Sequence, residues 1–331
     1  MTKVDDLTRA DPATPGMSPP SLPRPRRGRG AAARVRDTGL LLPAAALVAI
    51  ILYLPFVYTC FLSLMNYNGL GPMTFAGLSN YGAFFTSGNL SGIVTNTALW
   101  VAGTLILPVG LGLAVAVLTH RSRSRRIVHL IFLIPYGMSG AAVGVLWGFI
   151  LQPGGALNEL LSALHLPGGD TSLLAHSPLS TVLMIVAATW QGLGVNVLLF
   201  AVGLQSLPRQ PLEAARVDGA GGWRLFRSIT WPLLRPITAV VVGLAIVNSL
   251  KTFDIVWILT GGGPGLSSAT LAVSMYQTTF SSQQYGEGAA IAVLLTIVAT
   301  AAAFLYLRRQ ISAPKGALDG QGNTRHHHHG A

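Results

Sequence analysis

Few side chains in this sequence have the types and spacing that catalysis requires. The only cysteine is Cys60, so no disulfide can form within the chain. None of the eight histidines lies in the middle of a long apolar run, and no Ser-His pair or His/Glu metal site can be assembled there. The Lys251-Thr252 pair lacks the preceding glycine of a phosphate-binding loop. We therefore predict no catalytic residue, no metal site and no cofactor bound by this chain.

Polar side chains inside apolar runs are the remaining candidates for function. Lys251 and Asp254 are three residues apart, which places them on one face of a continuous helix. They are either a structural pair whose charges neutralise each other, or part of the lining of a water-filled passage. Amides, carboxylates and aromatic rings can bind hydroxyl groups and apolar ring faces. The candidate substrate-contacting residues are Trp190, Gln191, Asn196, Asn248, Lys251 and Asp254.

The amino-acid composition indicates which kind of secondary structure holds these residues in place. Charged residues make up 10% of the 331 residues, against about 25% in soluble domains, and mean hydropathy is +0.54. A chain with so few charges cannot cover a water-facing surface, which excludes a soluble globular protein. A membrane-spanning helix needs about 20 mainly apolar residues. The sequence predicts six spans, at about 39–63, 95–119, 127–151, 179–206, 236–259 and 287–307.

The distribution of basic residues predicts the orientation of these spans. Of 22 Lys and Arg residues, 21 lie before the first span, in alternate loops or after the last span, and only Lys251 lies in a span. The loops at about 64–94, 152–178 and 260–286 contain none. Since Lys and Arg are retained on the cytoplasmic side, both termini are expected in the cytoplasm. The net charge of +11 therefore reflects topology, and we expect no nucleic-acid partner.

Three regions are predicted along the chain. Residues 1–37 are rich in Pro, Arg and Ala, so they are expected to be a disordered cytoplasmic tail. They are not expected to belong to a cleaved signal peptide, because the apolar run that follows is too long for one. Residues 38–310 form the six-span domain. Residues 311–331 are a cytoplasmic tail whose four-histidine run, 326–329, has the composition of an affinity tag.

The 208–232 segment, between the fourth and fifth spans, is predicted to form two short cytoplasmic helices. Gly219 is suited to end the first helix in the left-handed conformation. The second is expected from Trp223 to just before Pro232, with Trp223, Phe226 and Ile229 along one side. Such a segment can dock on a partner, or lie in the membrane interface anchored by its tryptophans and arginines. The residue types alone favour neither.

The same segment resembles the EAA loop of ABC importer permeases, whose pattern is E-A-A-x3-G-x9-I-x-L-P. Glu213-Ala214-Ala215, Gly219, Ile229 and Pro232 match it, and Trp231 stands where the family usually has Leu. The resemblance implies that the segment is a coupling helix held in a cleft of a separate ATPase dimer, which binds ATP and Mg. The residues it assigns to coupling are Glu213, Ala214, Ala215, Asp218, Gly219, Trp223, Phe226, Ile229 and Pro232.

Three further motifs are similar to those of the carbohydrate subgroup of these permeases, which includes the maltose, oligosaccharide and glycerol-3-phosphate permeases. They are Phe253–Pro264, with the pattern F-D-x-I-x-x-L-T-G-G-G-P, Gly77–Tyr81, and the run from Pro135 through Trp147 to Asn158. The resemblance covers about residues 40–310. It implies an all-α integral membrane protein with the type I ABC importer permease bundle.

The expected partners are a second permease subunit in a heterodimer, the ATPase dimer, an extracellular solute-binding protein and a sugar. The expected location is the plasma membrane of a bacterial cell. The alternatives are a permease for another small solute, such as glycerol-3-phosphate or a polyamine, and an ion-coupled secondary transporter. A secondary transporter would need its own coupling-ion site and usually internal repeats, neither of which is evident.

Overall fold

The computed structural model describes residue 43 and residues 45–120, 122–169 and 171–311. Within these residues, six helical segments are long and apolar enough to cross a membrane, which confirms the predicted number of spans. The third segment begins at Gly140 rather than at about residue 127. The predicted tail at 1–37 and residues 312–331, with the four-histidine run, lie outside the described residues. The six segments are Ala45–Leu62, Leu90–Thr119, Gly140–Ala163, Leu179–Gln205, Gly222–Thr260 and Tyr285–Tyr306.

The described residues divide into two units within the first span, one ending at Phe56 and the other beginning at Val57. A wide π-helical turn, Ala49–Tyr53, precedes helix α1, Leu54–Leu62. A short antiparallel hairpin follows, with strands β1 (Met65–Asn66) and β2 (Thr74–Phe75).

Helix α2, Ser79–Thr86, contains part of the Gly77–Tyr81 motif, whose side chains close the end of the first span. The Asn80 amide donates to the carbonyls of Ser63 (2.8 Å) and Met65 (2.9 Å). The Tyr81 hydroxyl is 2.8 Å from the Ser63 hydroxyl. The motif therefore pairs polar groups where the helix ends and the hairpin begins.

The second span is continuous but contains a wide turn. Helix α3, Leu90–Thr104, leads into a π-helical turn, Leu105–Val109, and then into α4, Gly110–Thr119. Pro108 lies in this turn and has no N–H to donate to the helix. The span begins about five residues before the predicted start.

The predicted third span, at about 127–151, is not one helix, and a break at Pro135 divides it. Helix α5, Arg125–Leu133, is followed by a 3₁₀ turn, Ile134–Gly137, and then by α6, Gly140–Leu151. Pro135 cannot continue the hydrogen-bond ladder. Ser139 has extended backbone and restarts the helix by accepting the Ala142 N–H at 3.2 Å.

The remaining helices complete the bundle and form the 208–232 segment. Helix α7 spans Ala156–Ala163, α8 Leu179–Gln205, α9 Arg209–Val217, α10 Gly222–Leu225 and α11 Trp231–Leu250. Helix α12 spans Asp254–Thr260, α13 Leu271–Tyr276 and α14 Tyr285–Ile311, and π-helical turns occupy Phe226–Thr230 and Gln277–Ser281.

The predicted helix end before Pro232 is wrong, because α10 continues through the π-helical turn into α11. In this turn the Trp231 N–H donates to the carbonyl of Phe226, five residues back. Pro232 has no N–H to donate to the preceding turn, and the adjacent π-helical turn is the kind of local adjustment that accommodates a proline within a helix. The fifth span is thus rigidly joined to the 208–232 segment.

The expectation that Lys251 and Asp254 share a helical face is also wrong. Helix α11 ends at Leu250, and α12 begins at Asp254. The Thr252 carbonyl accepts the Thr270 hydroxyl at 2.9 Å, a bond from another part of the chain that replaces the helical one. The two charges therefore lie on either side of a helix break.

Helix α8 is the centre of the packed bundle. Towards its N-terminus, Met184 and Ile185 pack in one buried cluster with Trp100, Val256 and residues of α13 and α14. Towards its C-terminus, Phe200 packs in a second buried cluster with α4 and α11. Helices of the second, fourth and fifth spans are thus held around the region between the two clusters.

Candidate translocation cavity and coupling surface

A cavity of about 550 Å³ lies where the breaks of the third and fifth spans meet the fourth span. Non-helical backbone at membrane depth is tolerated where it lines a polar cavity. Of the six predicted substrate-contacting residues, five line this cavity: Gln191, Asn196, Asn248, Lys251 and Asp254. The structure thus brings together residues that are up to 63 positions apart in the sequence.

The two amides on α8 are already partly engaged within the protein. Gln191 donates to the Met138 carbonyl at 2.8 Å and so fixes the break of the third span against α8. Asn196 donates to the carbonyl of Gly192, one turn back on its own helix, at 2.9 Å. Their carbonyl oxygens are the groups left to accept a hydrogen bond from a solute.

The charged residues of the cavity are exposed at the break of the fifth span. Asn248, Lys251 and Asp254 each have an exposed side chain. A Cβ on Gly140 would lie 2.8 Å from Asp254 Oδ2, so glycine is needed for this close approach. Lys251 and Asp254 form no ion pair within 4.0 Å in the described part of the chain. Both charges therefore face the cavity as separate polar groups.

Trp190 is the predicted contact that the structure places elsewhere. It does not line the cavity, and its ring packs edge-on against Trp147 with centroids 6.3 Å apart. The neighbouring Gln191 points to the cavity because adjacent residues on a helix are about 100° apart. The sequence alone did not show that Gln191 lines the cavity and that the adjacent Trp190 does not.

Trp100 is a cavity residue that the sequence reasoning missed. It is 1% exposed and lines the cavity, and its indole N–H has no partner among the described residues. A buried donor of this kind costs free energy unless something accepts its hydrogen. Its apolar surroundings in the second span gave no signal of this role, because nothing in the sequence shows that the span borders the helix breaks.

The 208–232 segment presents two different surfaces. Arg209, Glu213 and Arg216 of α9 line a second cavity, of about 490 Å³, against the loop between α4 and α5. Ala214 and Val217 line neither this cavity nor the central one and are exposed, Val217 to 88%. The sequence analysis did not identify Val217 as a coupling residue, because it occupies a position of the motif where any residue is allowed. Ala214 and Val217 therefore form a small apolar patch on the exposed side of α9, which is left open by the described part of the chain.

Gly219 ends α9 in the left-handed conformation, as predicted, with φ +78°. The Gly219 N–H donates to the Arg216 carbonyl at 3.1 Å, and the Ala220 N–H donates to the Ala215 carbonyl at 2.9 Å. This pair of bonds is a Schellman motif. Asp218 is the capping residue and is exposed, so the turn at the end of α9 is compact and presented to solvent.

The aromatic residues of the segment lie along one side of the chain after this turn. The Trp223 and Phe226 rings are 5.7 Å apart, and the Phe226 and Trp231 rings are 6.3 Å apart. Trp223 is 71% exposed, whereas Phe226, Ile229 and Pro232 are half-buried. The half-buried residues mainly stabilise the junction with α11, and Ala214, Val217 and Trp223 offer the exposed apolar surface.

Residues 106–313 match the family described as binding-protein-dependent transport system inner membrane component. The chain is similar to the sulfoquinovosyl glycerol transport system permease protein of Agrobacterium fabrum, at 34% identity over 87% of this chain and 94% of that protein. It is 31% identical to the multiple sugar-binding transport system permease protein of Streptococcus mutans, over 79% of this chain and 90% of that protein.

A solved structure shares the fold. A bacterial alginate ABC transporter, crystallised with an alginate pentasaccharide-bound periplasmic protein, contains a chain that matches with a TM-score of 0.74. The match covers 85% of this chain and 96% of that chain at 20% identity. The six spans and the helical bundle of this chain agree with the family match and with the curated relatives. The chain belongs to the family of binding-protein-dependent transport system inner membrane components, the permease subunits of ABC transporters.

Proposed function

We propose that this chain forms half of the translocation path of an ATP-driven importer for a neutral sugar or oligosaccharide. The central cavity is the observation that carries the proposal. It combines amide oxygens, a carboxylate and an ammonium group with apolar walls that include Trp100. A sugar has hydroxyl groups that donate and accept hydrogen bonds and apolar ring faces, which this mixture can bind.

The names of the curated relatives support a sugar over other small solutes. Relatives are named for sulfoquinovosyl glycerol and for multiple sugars, and one from Agrobacterium fabrum is named for sn-glycerol-3-phosphate. An anionic solute is the second candidate, because Lys251 lies in the cavity. Asp254 in the same cavity opposes an anion, so we favour a neutral sugar.

Coupling is assigned to the exposed turn between α9 and α10. A separate ATPase dimer, which binds ATP and Mg, would hold Ala214, Val217 and the Gly219 turn in a cleft. Closure of that dimer would move α9, and the continuous helix from Gly222 to Leu250 would carry the motion to the cavity. Such coupling needs a rigid element between two sites.

The remaining partners complete an importer of this kind. A second, different permease subunit would form the other half of the path, and an extracellular binding protein would deliver the solute. The basic loops support a proposed topology with both termini in the cytoplasm of a bacterial-type cell, which would put the 208–232 segment on the side where ATP is available.

Co-purification with the ATPase subunit tests the coupling surface. Val217→Asp places a charge on the exposed apolar face of α9 and should abolish retention of the ATPase by the tagged permease. Leu164→Asp changes a residue that is also exposed, 58%, but lies at the opposite end of the bundle. The control should retain the ATPase fully. Equal retention by both variants would contradict the docking surface.

Uptake by the reconstituted importer tests the substrate class. Vesicles that contain both permeases and the ATPase are supplied with the binding protein and radiolabelled solutes. Uptake of a neutral sugar that requires ATP and the binding protein is expected. Uptake driven by an ion gradient without ATP would favour a secondary transporter and overturn the proposal.

A further inference from the structure

An apolar cavity of about 630 Å³ lies beside the 208–232 segment and is separate from the translocation cavity. One wall is α4, and the other is formed by α10 and the π-helical turn that follows it. The lining residues are Gly110, Leu113, Ala114, Val117, Leu118, His120, Leu204, Gly222, Trp223, Leu225, Phe226 and Thr230. An apolar cavity of this size, among the about 300–1,000 Å³ typical of ligand pockets, has no role in the coupling mechanism.

The apolar cavity adjoins the basic cavity under α9. His120 and Leu204 line both. The basic cavity contains Arg125, Arg209 and Arg216 but only one carboxylate, Glu213, so two positive charges are in excess. A ligand that fills both cavities must therefore be apolar at one end and anionic at the other.

The position of the pair of cavities selects the occupant. Leu118 and Trp223 line the apolar cavity and are 81% and 71% exposed, which is unfavourable in water but suited to lipid. Tryptophan is enriched at the level of lipid headgroups. The cytoplasmic leaflet carries anionic lipids, and basic pockets between helices on that side bind their headgroups.

We propose that one anionic phospholipid occupies both cavities. An acyl chain lies between α4 and the Trp223–Phe226 pair, and the phosphate lies beside Arg125, Arg209 and Arg216. The sequence left two interpretations of the 208–232 segment, docking on a partner and anchoring in the membrane interface, and each then applies to a different part of the segment. Helix α9 docks on the ATPase through Ala214 and Val217, and the aromatic part after Gly219 is held in the interface by lipid.

Lipid titration of the delipidated importer complex, followed by native mass spectrometry, tests the headgroup site. Phosphatidylglycerol should bind more tightly than phosphatidylcholine. Arg125→Gln with Arg209→Gln should weaken phosphatidylglycerol binding by about thirty-fold, given roughly five-fold for each arginine near an anionic lipid. The control, Arg224→Gln with Arg227→Gln, removes the same charge from exposed positions outside both cavities and should change binding little.

Filling the apolar cavity tests the acyl-chain site. Ala114→Trp should lower the binding of both phospholipids at least ten-fold. Leu111→Trp lies on the same helix at a position that is 45% exposed and outside the cavity, and it should bind lipid normally. Glycerol phosphate without acyl chains should not compete. Equal lipid binding by both tryptophan variants, or effective competition by glycerol phosphate, overturns the proposal.

Two measurements keep the proposal testable if a variant fails to assemble. Phosphatidylglycerol with a photoreactive acyl chain should label the unaltered complex at residues 110–118 and 222–230, and labelling confined to other segments overturns the site. The basic cavity also has a rival occupant, an acidic loop of the ATPase. Loss of the ATPase from the Arg125/Arg209 variant with unchanged phosphatidylglycerol binding would assign the cavity to that loop and reject the lipid.

Discussion

The two ends of this bundle are stabilised in different ways. At the hairpin end, formed by residues 64–89, 152–178 and 261–284, buried side chains connect distant parts of the chain. Asn96 is 2% exposed, donates to the Ser267 carbonyl at 2.6 Å and accepts the Thr181 hydroxyl at 3.1 Å. Asn158 is 1% exposed, and its amide Nδ2 lies within 3.0 Å of the carbonyls of Gly168, Gly169 and Thr171, which share its two N–H groups.

At the basic end, formed by residues 120–126 and 206–230, the hydrogen bonds that shape the Gly219 turn are local. The Schellman bonds of Gly219 and Ala220 span three and five residues. The neighbouring surface is exposed, with Val217 at 88% and Trp223 at 71%. Both ends carry exposed apolar side chains, such as Leu70 at 89% and Phe75 at 74% at the hairpin end. The difference is that buried hydrogen bonds connect distant residues at the hairpin end, whereas the bonds that shape the Gly219 turn are local.

This contrast suits an importer in which one end is a fixed scaffold and the other transmits motion. Buried polar networks specify one arrangement, because each unpaired member is costly. A turn held by local bonds can move as a unit, since its own hydrogen bonds need not break. We therefore expect changes at the hairpin end to destabilise the protein and changes at the basic end to affect coupling.

The largest effect is expected from Asn96→Leu. The substitution leaves the Ser267 carbonyl and the Thr181 hydroxyl without their Asn96 partner, at about 1–3 kcal/mol for each buried group left unpaired. The thermal unfolding midpoint in detergent should fall sharply, with little folded protein recovered. Asn89→Leu is the control, because Asn89 is exposed in the same region and makes no side-chain cap bond. Equal stability of the two variants would refute the scaffold role.

A smaller and more selective effect is expected from Gly219→Val. At φ +78° a β-branched residue is strained, by about 1–2 kcal/mol, so the α9 turn should open. Gly221→Val is a close control, since Gly221 has φ −68° and a Cβ there would meet nothing within 4 Å. Uptake should fall several-fold in the first variant only, while both insert and unfold at similar temperatures. Reduced stability without a change in uptake per molecule would contradict a coupling role.

The sequence predicted the contrast between the ends only in part. Six spans, the site of the 208–232 segment and the left-handed Gly219 follow from local composition, charge and one residue type, and all three are present. Pro135 is a local signal for the break at the third predicted span, but the geometry of both helix breaks depends on distant partners that the sequence does not show. Thr270 takes the Thr252 carbonyl of the fifth span, and Gln191 takes the Met138 carbonyl of the third.

The candidate cavity was predicted by residue type and corrected by geometry. Gln191, Asn196, Asn248, Lys251 and Asp254 stand out as polar groups in apolar runs, and the structure brings them together. Residue type could not show which of Trp190 and Trp100 lines the cavity, because a tryptophan in an apolar helix does not stand out from its neighbours. Only the packing of the second span against the breaks places Trp100 in the cavity and leaves Trp190 beside Trp147.

The smallest effect is expected midway between the two ends, from Trp100→Phe. This change keeps an aromatic ring but removes the unpaired N–H that we propose donates to a sugar hydroxyl, so the KM for uptake should rise by about ten-fold, the value of one hydrogen bond of roughly 1.4 kcal/mol. Trp147→Phe removes another buried indole N–H without a partner among the described residues, and this one does not line the cavity. Its KM should stay unchanged, and stability should be similar in both variants because neither N–H is paired within the described chain. If the two variants transport alike, Trp100 serves packing alone, and the cavity must bind solute through the exposed groups at the break of the fifth span.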